Sequence, residues 1–196
     1  MPDPVPARIC PRMAILPILC IPDPVLRQTS TPVAAITPEI SELIADMFET
    51  MYDAPGIGLA AVQVGHPIRL LVIDLHEPAE ESAEGEAAEP AEPAEPVKDP
   101  RVFINPEILS VSDTLVPYNE GCLSIPDQYA EVLRPDRVTA RWMDAHGTTH
   151  EGAIDGLLAV CLQHEIDHLN GVLFIDHLSR LKRDILLKKV AKAKKE

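Results

Sequence analysis

The stretch of sequence that decides the fold is DGLLAVCLQHEIDHLNG, residues 155–171. Asp155 is typical of a helix start and Asn170-Gly171 of a helix end, so the pattern predicts a helix from about residue 156 to residue 169. Its apolar residues surround most of the helix circumference: Leu157, Leu158, Val160, Cys161, Leu162, Ile166 and Leu169. A helix that is apolar on nearly every side is expected at the centre of a domain.

Within this apolar helix lies the run His164-Glu165-Ile166-Asp167-His168. Residues i and i+4 lie on one helix face about 6 Å apart, so two imidazoles can bind one metal ion. Glu165, between them, can take a proton from water at such a site. The alternative is a solvated helix that carries these charges by chance, but unpaired His, Glu and Asp are costly in an apolar helix. The sequence therefore predicts a metal site with Glu165 as general base.

Two histidines leave the site one protein ligand short of the three that catalytic metal sites usually have. The residues after His168 do not continue the extended metzincin pattern, and His177 is interpreted as a surface residue. The best candidate lies upstream in EGCLS, residues 120–124. A single cysteine is usually an inert small hydrophobe. Beside a two-histidine site, however, the Cys122 thiolate is the predicted third ligand.

A third cluster, GIGLAAVQ, spans residues 56–63. Its G-x-G-x-x-A spacing matches a dinucleotide-binding fingerprint, but it follows a predicted helix rather than a strand, so that interpretation fails. A glycine-rich turn alone is often only a loop. Gln63 is nevertheless unusual at the end of so apolar a segment, and an amide that donates to a reacting carbonyl would explain it.

The remaining sequence predicts an α+β domain, with short mixed or antiparallel sheets around the central buried helix. Thr37, Pro38 and Glu39 indicate the start of another helix, which ends near residue 53. Its buried stripe is predicted to be Ile40, Leu43, Ile44, Met47 and Met51. Strands are predicted at residues 68–75, 102–105, 107–111 and 138–143. A C-terminal helix is predicted from about Ser179 onward.

Charge is distributed unevenly along the chain. The 31 acidic and 17 basic residues give a net charge of −14, which argues against nonspecific binding to DNA or to an anionic membrane. Residues 77–99 form an acidic Glu-Pro-Ala insertion that is expected to be flexible, and residues 1–12 a loose N-terminal extension. A catalytic domain is therefore expected over residues 13–178. A basic C-terminal helix, with eight basic and two acidic residues, is expected over residues 179–196.

The composition is typical of a globular protein from a reducing compartment. Hydrophobic residues make up 46% of the chain, which is enough to form a core. The four cysteines lie far apart and form no C-x-x-C pair, so free or metal-bound thiols and a cytoplasmic location are expected. No run of 18 apolar residues is present, and no membrane span is predicted.

Three of these motifs, taken in order, resemble the peptide deformylase family, whose pattern is G-x-G-x-A-A-x-Q, E-G-C-x-S and Q-H-E-x-D-H. Here they are residues 56–63, 120–124 and 163–168. Residues 18–27 also resemble the N-terminal segment of the family, so the resemblance extends from about Met13 to the end. The resemblance implies a cytoplasmic, metal-dependent hydrolase. Its activity would be to remove the formyl group from the formyl-methionine of nascent polypeptides and release formate.

The resemblance also implies a role for each motif. The metal ligands would be Cys122, His164 and His168. The ion in this family is typically Fe²⁺, with Ni²⁺, Co²⁺ or Zn²⁺ able to occupy the site. Glu165 would be the general base and would pass its proton to the departing amine. The Gln63 amide and the Leu123 N–H would stabilise the formyl oxygen.

Substrate-binding residues are expected on both sides of the metal. They are Ile57, Gly58, Glu120, Gly121, Leu157, Val160 and Cys161. Three of these, Leu157, Val160 and Cys161, fall at i, i+3 and i+4, on one helix face that leads to the metal. Simple core packing explains each of them equally well when taken alone.

Two carboxylates and one tyrosine near the site raise further questions. Glu120 and Asp167 are candidates to orient the loop and the histidines, although Asp167 could instead pair only with an arginine. Tyr129 stands where several relatives carry a basic residue, which leaves charge recognition of the peptide backbone open.

Two alternatives concern the function. For the activity, the alternative is a His-Glu-x-x-His metalloendopeptidase, in which a change of Cys122 would spare activity. A non-catalytic binding protein is disfavoured because metal, base and oxyanion residues are all present.

The basic residues of 179–196 are interpreted either as a solvated helix face or as a surface that contacts the ribosome.

Overall fold

The computed structural model describes residues 14–75 and 98–193 and shows an α+β fold. The predicted extension 1–12 and residues 77–97 of the predicted insertion lie outside the described residues. The described helices are α1 (Pro38–Asp53), α2 (Gly156–Leu169) and α3 (Arg180–Ala193). The described strands are β1 (Gly58–Ala60), β2 (Leu70–Ile73), β3 (Arg101–Val111), β4 (Leu115–Cys122), β5 (Ile125–Pro135), β6 (Arg137–Met143) and β7 (Thr149–Asp155).

These strands form two antiparallel sheets, one of five strands in the order β1-β2-β3-β6-β7 and one of two, β4-β5. The five-stranded sheet is packed between α1 and α2. Because side chains alternate along a strand, Leu71 and Ile73 of β2 pack in the cluster formed with α2, while Leu70 and Val72 pack in the cluster formed with α1. Burial on both faces explains why this strand is a continuous apolar run.

The start of α1 matches the prediction. The Thr37 hydroxyl accepts a hydrogen bond from the Ile40 N–H, Pro38 occupies the first turn and Glu39 lies near the positive helix end. The predicted stripe is confirmed, since Leu43, Ile44, Met47 and Met51 are buried and Ile40 is partly buried against them. The glycine-rich segment therefore follows a helix, as expected.

The strand prediction is wrong in three respects. Residues 102–105 and 107–111 belong to the single strand β3, whose register shifts between Ile104 and Glu107. The shift coincides with Asn105, in a left-handed conformation with φ +51°, and with Pro106, which has no N–H for the ladder. The strand predicted at residues 68–75 is limited to β2. The strands β4, β5 and β7 are not predicted at all.

The central helix α2 has the predicted extent, and Asn170 occupies the position just after its last residue. Asp155 precedes the helix, but its side chain makes no capping hydrogen bond. The C-terminal helix α3 packs Leu186 and Val190 into a third cluster with Ile125 of β5 and Phe174. Within residues 14–75 and 98–193 no disulfide joins the cysteines, and no helix there has both the length and the apolar character needed to cross a membrane.

Gly171 fixes where the end of α2 meets the N-terminal segment. Its φ is +73°, and a Cβ atom at this position would lie 2.5 Å from the carbonyl oxygen of Arg27. Arg27 ends a 3-10 turn, Pro24–Arg27. The absence of a side chain at Gly171 therefore lets two backbone segments approach closely just after α2.

We predict that Gly171→Ala lowers the free energy of unfolding by about 2 to 4 kcal/mol, because a backbone clash adds to the cost of a left-handed alanine. Gly65 has φ +86° with nothing within 4 Å of the added Cβ, so Gly65→Ala should lose only about 1 to 2 kcal/mol. Gly152→Ala, in open space on β7, should change it by less than about 0.5 kcal/mol. Urea unfolding of the wild type and the three variants under identical conditions measures all three. Equal losses at Gly171 and Gly65 would show that the close approach contributes nothing.

Candidate active site

A cavity of about 480 Å³ lies between α2, the loop after α1 and the β4–β5 hairpin. Nearly all of the residues predicted for the site line it. These are Ile57, Gly58, Gln63, Glu120, Gly121, Cys122, Leu123, Leu157, Val160, Cys161, His164 and Glu165. His168, the remaining predicted residue, is buried one helical turn beyond His164. The structure thus brings the three sequence motifs together around one cavity.

The predicted metal ligands meet beside this cavity. The ligand atoms of Cys122, His164 and His168 all lie within 4.8 Å of one another. The α-helical spacing places both imidazoles on one face of α2, with ring centroids 5.1 Å apart. Cys122 ends β4, and its Sγ lies 3.2 Å from His168 Nε2. A thiolate and two imidazoles at such separations suit a transition-metal ion such as iron, nickel, cobalt or zinc.

The surroundings favour the thiolate form of Cys122. Burial by itself raises the pKa of this thiol, but the charge of His168 and hydrogen bonds to His164 and His168 outweigh the burial and bring the pKa down to about 5. A thiolate is the form of cysteine that binds metals. The site is therefore already arranged for its cysteine to act as a ligand near neutral pH.

Glu165 is held next to the three candidate ligands in a dry environment. Glu165 is only 4% exposed. Among the described residues, its Oε2 has no hydrogen-bond partner. Burial raises the pKa of this carboxyl. Gly58 makes room for it, since a Cβ there would lie 2.6 Å from Glu165 Oε1. A buried, unpartnered carboxylate of raised pKa is suited to accept a proton.

Gln63 lies on a 3-10 turn, Ala61–Val64, that follows β1 directly. Its Oε1 accepts a hydrogen bond of 2.8 Å from the Ala60 N–H, so its amide nitrogen must face the opposite way. That nitrogen donates to Ser124 Oγ at 3.1 Å and lies 3.6 Å from Cys122 Sγ. The Gln63 amide is thus oriented as a donor next to the candidate metal ligands.

The N-terminal segment connects the glutamine turn to the cysteine loop. The Leu19 N–H donates to the carbonyl oxygen of Gln63 at 2.7 Å, and the Ile21 N–H donates to that of Ser124 at 3.0 Å. This backbone bridge gives a structural reason for the N-terminal part of the resemblance. The segment holds two motifs together that are about 60 residues apart in sequence.

Arg134 organises the polar groups behind the site and is not among the predicted residues. Its side chain is 6% exposed. The guanidinium donates from Nε and Nη2 to Glu120 at 2.7 and 3.0 Å, and from Nη1 to Asp167 at 2.6 Å. Glu120 Oε2 in turn lies 2.8 Å from His164 Nδ1. With Nδ1 hydrogen-bonded to a carboxylate, the Nε2 of His164 is the nitrogen left for a metal.

A period-two reading of β5 could have found this arginine, because Val132 is buried and Arg134, two residues on, shares its face.

The hydrogen bonds around Arg134 change the pKa of Glu120 and fix the position of Asp167. Burial alone would raise the pKa of Glu120, but the hydrogen bonds from His164 and Arg134 lower it to about 2. Asp167 also accepts from His177 Nε2 at 2.7 Å. His177 is exposed, as expected, and does not join the three candidate ligands.

Comparison with known proteins agrees with this geometry. The family model of polypeptide deformylase matches residues 15–184. The chain is 61% identical to the peptide deformylase of Rhizorhabdus wittichii over 183 residues. The matched region covers 93% of this chain and 97% of that protein. The chain is also 58% identical to the peptide deformylase of Novosphingobium aromaticivorans, over 93% of this chain and 99% of that one.

Solved structures give the same result. A peptide deformylase from Legionella pneumophila superposes with a TM-score of 0.78 at 43% identity, over 93% of this chain and 96% of that chain. One from Ehrlichia chaffeensis in complex with actinonin has a TM-score of 0.80 at 39% identity, over 94% of this chain and 100% of that chain. The metalloendopeptidase alternative is not favoured by any of these matches. The chain belongs to the polypeptide deformylase family.

Proposed function

We propose that this protein is a metal-dependent hydrolase that removes the formyl group from the N-terminal formyl-methionine of nascent polypeptides and releases formate. The observation that carries the proposal is the convergence of Cys122, His164 and His168 within 4.8 Å of one another. Glu165 lies buried at the same cavity, and its Oε2 has no hydrogen-bond partner among the described residues. This set provides metal ligands and a base in a chain of the deformylase family.

One divalent ion per chain would be held by Cys122, His164 and His168. Fe²⁺ is our first choice, and Ni²⁺, Co²⁺ and Zn²⁺ are the alternatives that the donor set also suits. When bound, the ion would polarise the formyl carbonyl as a Lewis acid and lower the pKa of water, so that a nucleophilic hydroxide can form. Glu120, fixed by Arg134, would keep His164 in the orientation and tautomer that binding requires.

Glu165 carries the proton in our scheme. Its Oε2 takes a proton from the attacking water, and the raised pKa caused by burial lets the carboxyl hold that proton until the C–N bond breaks. It then delivers the proton to the departing amine nitrogen of methionine. The formyl carbon leaves as formate, and the peptide leaves with a free amino terminus.

Gln63 and Leu123 stabilise the negative charge that develops on the formyl oxygen. The Gln63 amide nitrogen faces Cys122 because its Oε1 accepts from Ala60, and Leu123, which follows Cys122 directly, lines the same cavity. Preorganised donors of this kind lower the barrier of acyl transfer.

The methionine side chain would occupy the apolar part of the cavity, between Ile57 and Gly58 on one side and α2 on the other. Leu157, Val160 and Cys161 form one face of α2 there. Burial, followed by the charges of Glu165 and Glu120, raises the pKa of the Cys161 thiol. A neutral thiol is a suitable wall for a flexible thioether side chain.

We further propose that residues 13–178 act as the catalytic domain, in the cytoplasm, and that the basic segment of residues 179–196, which contains α3, contacts the ribosome. Support for the contact is the exposure of Lys182, Lys188 and Lys189 on α3, whose buried side is formed by Leu186 and Val190. Basic side chains presented on one helix are suited to RNA phosphates.

Anaerobic release of formate from a formyl-Met peptide tests the activity. We expect activity from Fe²⁺- or Ni²⁺-loaded protein and a loss of at least about 100-fold in kcat for Glu165→Ala, because general acid–base catalysis is removed. Cys122→Ala should lose activity together with bound metal. Glu151→Ala, an exposed glutamate on β7, is the matched control. Full activity in Cys122→Ala, or no formate from the wild type, would contradict the proposal.

Glu120→Gln tests the support of His164. The amide cannot accept from both Arg134 and His164 as the carboxylate does, so we expect metal affinity to fall by about 10- to 100-fold. Competition with a chelator measures this affinity. The control is Glu107→Gln, the same substitution in an exposed ion pair with Arg141. Unchanged affinity in Glu120→Gln would show that the carboxylate does not orient the ligand.

Ribosome contact is tested by changing three exposed charges together, Lys182→Gln, Lys188→Gln and Lys189→Gln. We expect weaker co-sedimentation with ribosomes. The slope of log affinity against log salt concentration should become less negative by about 2 to 3, because fewer phosphates are neutralised. The triple change to arginine keeps the charge and should keep the affinity. Equal binding by the glutamine and arginine variants would eliminate α3 as the contact.

A further inference from the structure

We infer that a second cavity beside α2 binds a small aliphatic amino acid in its zwitterionic form, with the carboxylate at Arg69 and the ammonium group at Asp167 and Gln163. This back cavity has a volume of about 360 Å³. It lies between α2 and the irregular part of β3, where Pro106 and Ile108 line it. None of the described residues lines both the back cavity and the active-site cavity. A molecule bound in the back cavity would therefore leave the active site free.

Arg69 gives the back cavity a positive charge that is fixed in place but not paired. This half-buried residue immediately precedes β2. Its Nη1 donates to Asn170 Oδ1 at 2.9 Å and its Nη2 to the Pro106 carbonyl oxygen at 3.0 Å. Both acceptors are neutral, and within the described residues Arg69 forms no ion pair. A guanidinium held in this way is suited to bind a carboxylate.

The surroundings of Arg69 leave its charge without a close counterion. Burial lowers the pKa of the guanidinium, and the charge of Glu107 acts in the opposite direction. The Glu107 carboxylate, however, is exposed and is paired with Arg141 at 2.6 Å. A carboxylate brought into the cavity would therefore stabilise a charge that the described residues leave unpaired.

Gln163 gives the back cavity a hydrogen-bond acceptor. The residue lines the cavity although it is only 6% exposed. Its amide nitrogen donates to the carbonyl oxygens of Ala159 at 2.9 Å and Pro135 at 3.0 Å, so both of its N–H groups are used. No donor from the described part of the chain reaches its Oε1. Acceptors of buried residues are normally paired, and an ammonium group supplies the donor that Gln163 lacks.

Asp167 gives the back cavity a negative charge. Its Oδ2 accepts from Arg134 Nη1 at 2.6 Å and from His177 Nε2 at 2.7 Å, while its Oδ1 has no donor among the described residues. Side chains three residues apart at a helix end have Cβ atoms about 5 to 6 Å apart, and Asn170, three residues after Asp167, is the residue that holds Arg69. The cavity therefore presents a carboxylate about one helical turn from a guanidinium.

The charges of the back cavity balance one another, and this decides the class of ligand. The charged residues described in its wall are two cations and two anions: Arg69, Arg134, Glu107 and Asp167. A simple anion would be repelled by the carboxylates and a simple cation by the guanidiniums. An α-amino acid carries a carboxylate and an ammonium group on one carbon atom. It can therefore satisfy Arg69 with the first group and Asp167 with the second.

The remaining wall of the back cavity is apolar and selects the side chain. Pro106, Ile108 and Ile166 line it, and the last two pack in the core cluster between the sheet and α2. A volume of about 360 Å³ falls in the range of sites for small molecules. An aliphatic side chain gains from burial against such a wall, whereas a charged side chain would lose its hydration there.

An NMR titration of isotope-labelled, full-length protein loaded with diamagnetic Zn²⁺ tests the back cavity with three probes. L-leucine has both charged groups, isocaproate lacks the amine and isoamylamine lacks the carboxylate. We expect L-leucine to shift the side-chain amide signals of Gln163 with a dissociation constant of about 0.1 to 10 mM. Each of the other two probes should bind at least about tenfold more weakly, because one charge-assisted hydrogen bond is missing.

Two variants test the place of binding. Arg69→Gln should weaken L-leucine binding at least about tenfold. Ile108→Phe leaves every charge in place but narrows the cavity, and should weaken binding at least about fivefold. The matched control is Arg101→Gln, the same substitution at an exposed arginine of β3 that pairs with Asp99; it should bind L-leucine like the wild type.

Cys122→Ala separates the back cavity from the active site, because it removes a candidate metal ligand and changes no residue of the back cavity. L-leucine should bind this variant as tightly as the wild type, and loss of binding would place L-leucine at the active site and overturn the inference. It would also be overturned by no binding of L-leucine up to about 50 mM, by isocaproate binding as tightly as L-leucine, or by unchanged affinity in either folded variant, Arg69→Gln or Ile108→Phe.

Discussion

The structure depends on a single requirement: α2 places histidine, glutamate and aspartate side chains inside the domain, and each of them must be stabilised by groups from other parts of the chain. Unpaired charges are too costly in such an interior. The chain meets the requirement in two ways. Arg134 forms ion pairs with both Glu120 and Asp167 behind the helix, and the two histidines turn toward Cys122, where an ion can bind. Two buried polar atoms of α2 have no hydrogen-bond partner among the described residues, His168 Nδ1 and Glu165 Oε2, and the second of these is the condition that suits a base.

The position of α2 follows from the sheet below it. Since β2 is apolar on both faces, it needs a helix on each side, and α1 and α2 provide them. This packing sets the distance between α2 and β1. At that distance a Cβ atom on Gly58 would lie too close to the Glu165 carboxylate, so the position needs glycine. The two-stranded sheet approaches from the side and contributes Cys122. Thus the cavity is the space left where two sheets and one helix meet.

Local sequence patterns predict the helices of this architecture, but they do not predict the hairpin or its contacts. The helices α1 and α2 are predictable because capping residues and a 3.6-residue period act within a few turns. His164 and His168 are predictable as a pair for the same reason. The hairpin β4–β5 is not, because its exposed face carries prolines and polar residues and its burial depends on α3 and on Phe174. The alternation along β5 can place Arg134 on a buried face, but no local pattern pairs it with Asp167, which lies 33 residues away.

The place of Cys122 in the fold has a mechanical consequence. Within the described residues, β4 and β5 pair only with each other, so the hairpin has no backbone ladder to the sheet that supports α2. An ion held by Cys122 and His168, which are 46 residues apart in sequence, would join the two parts as a cross-link does. Because the ligands assemble only on folding, the binding energy of the ion adds to the stability of the folded state. In the loaded protein the reactive centre would therefore also act as a clasp that holds the hairpin to the body of the molecule.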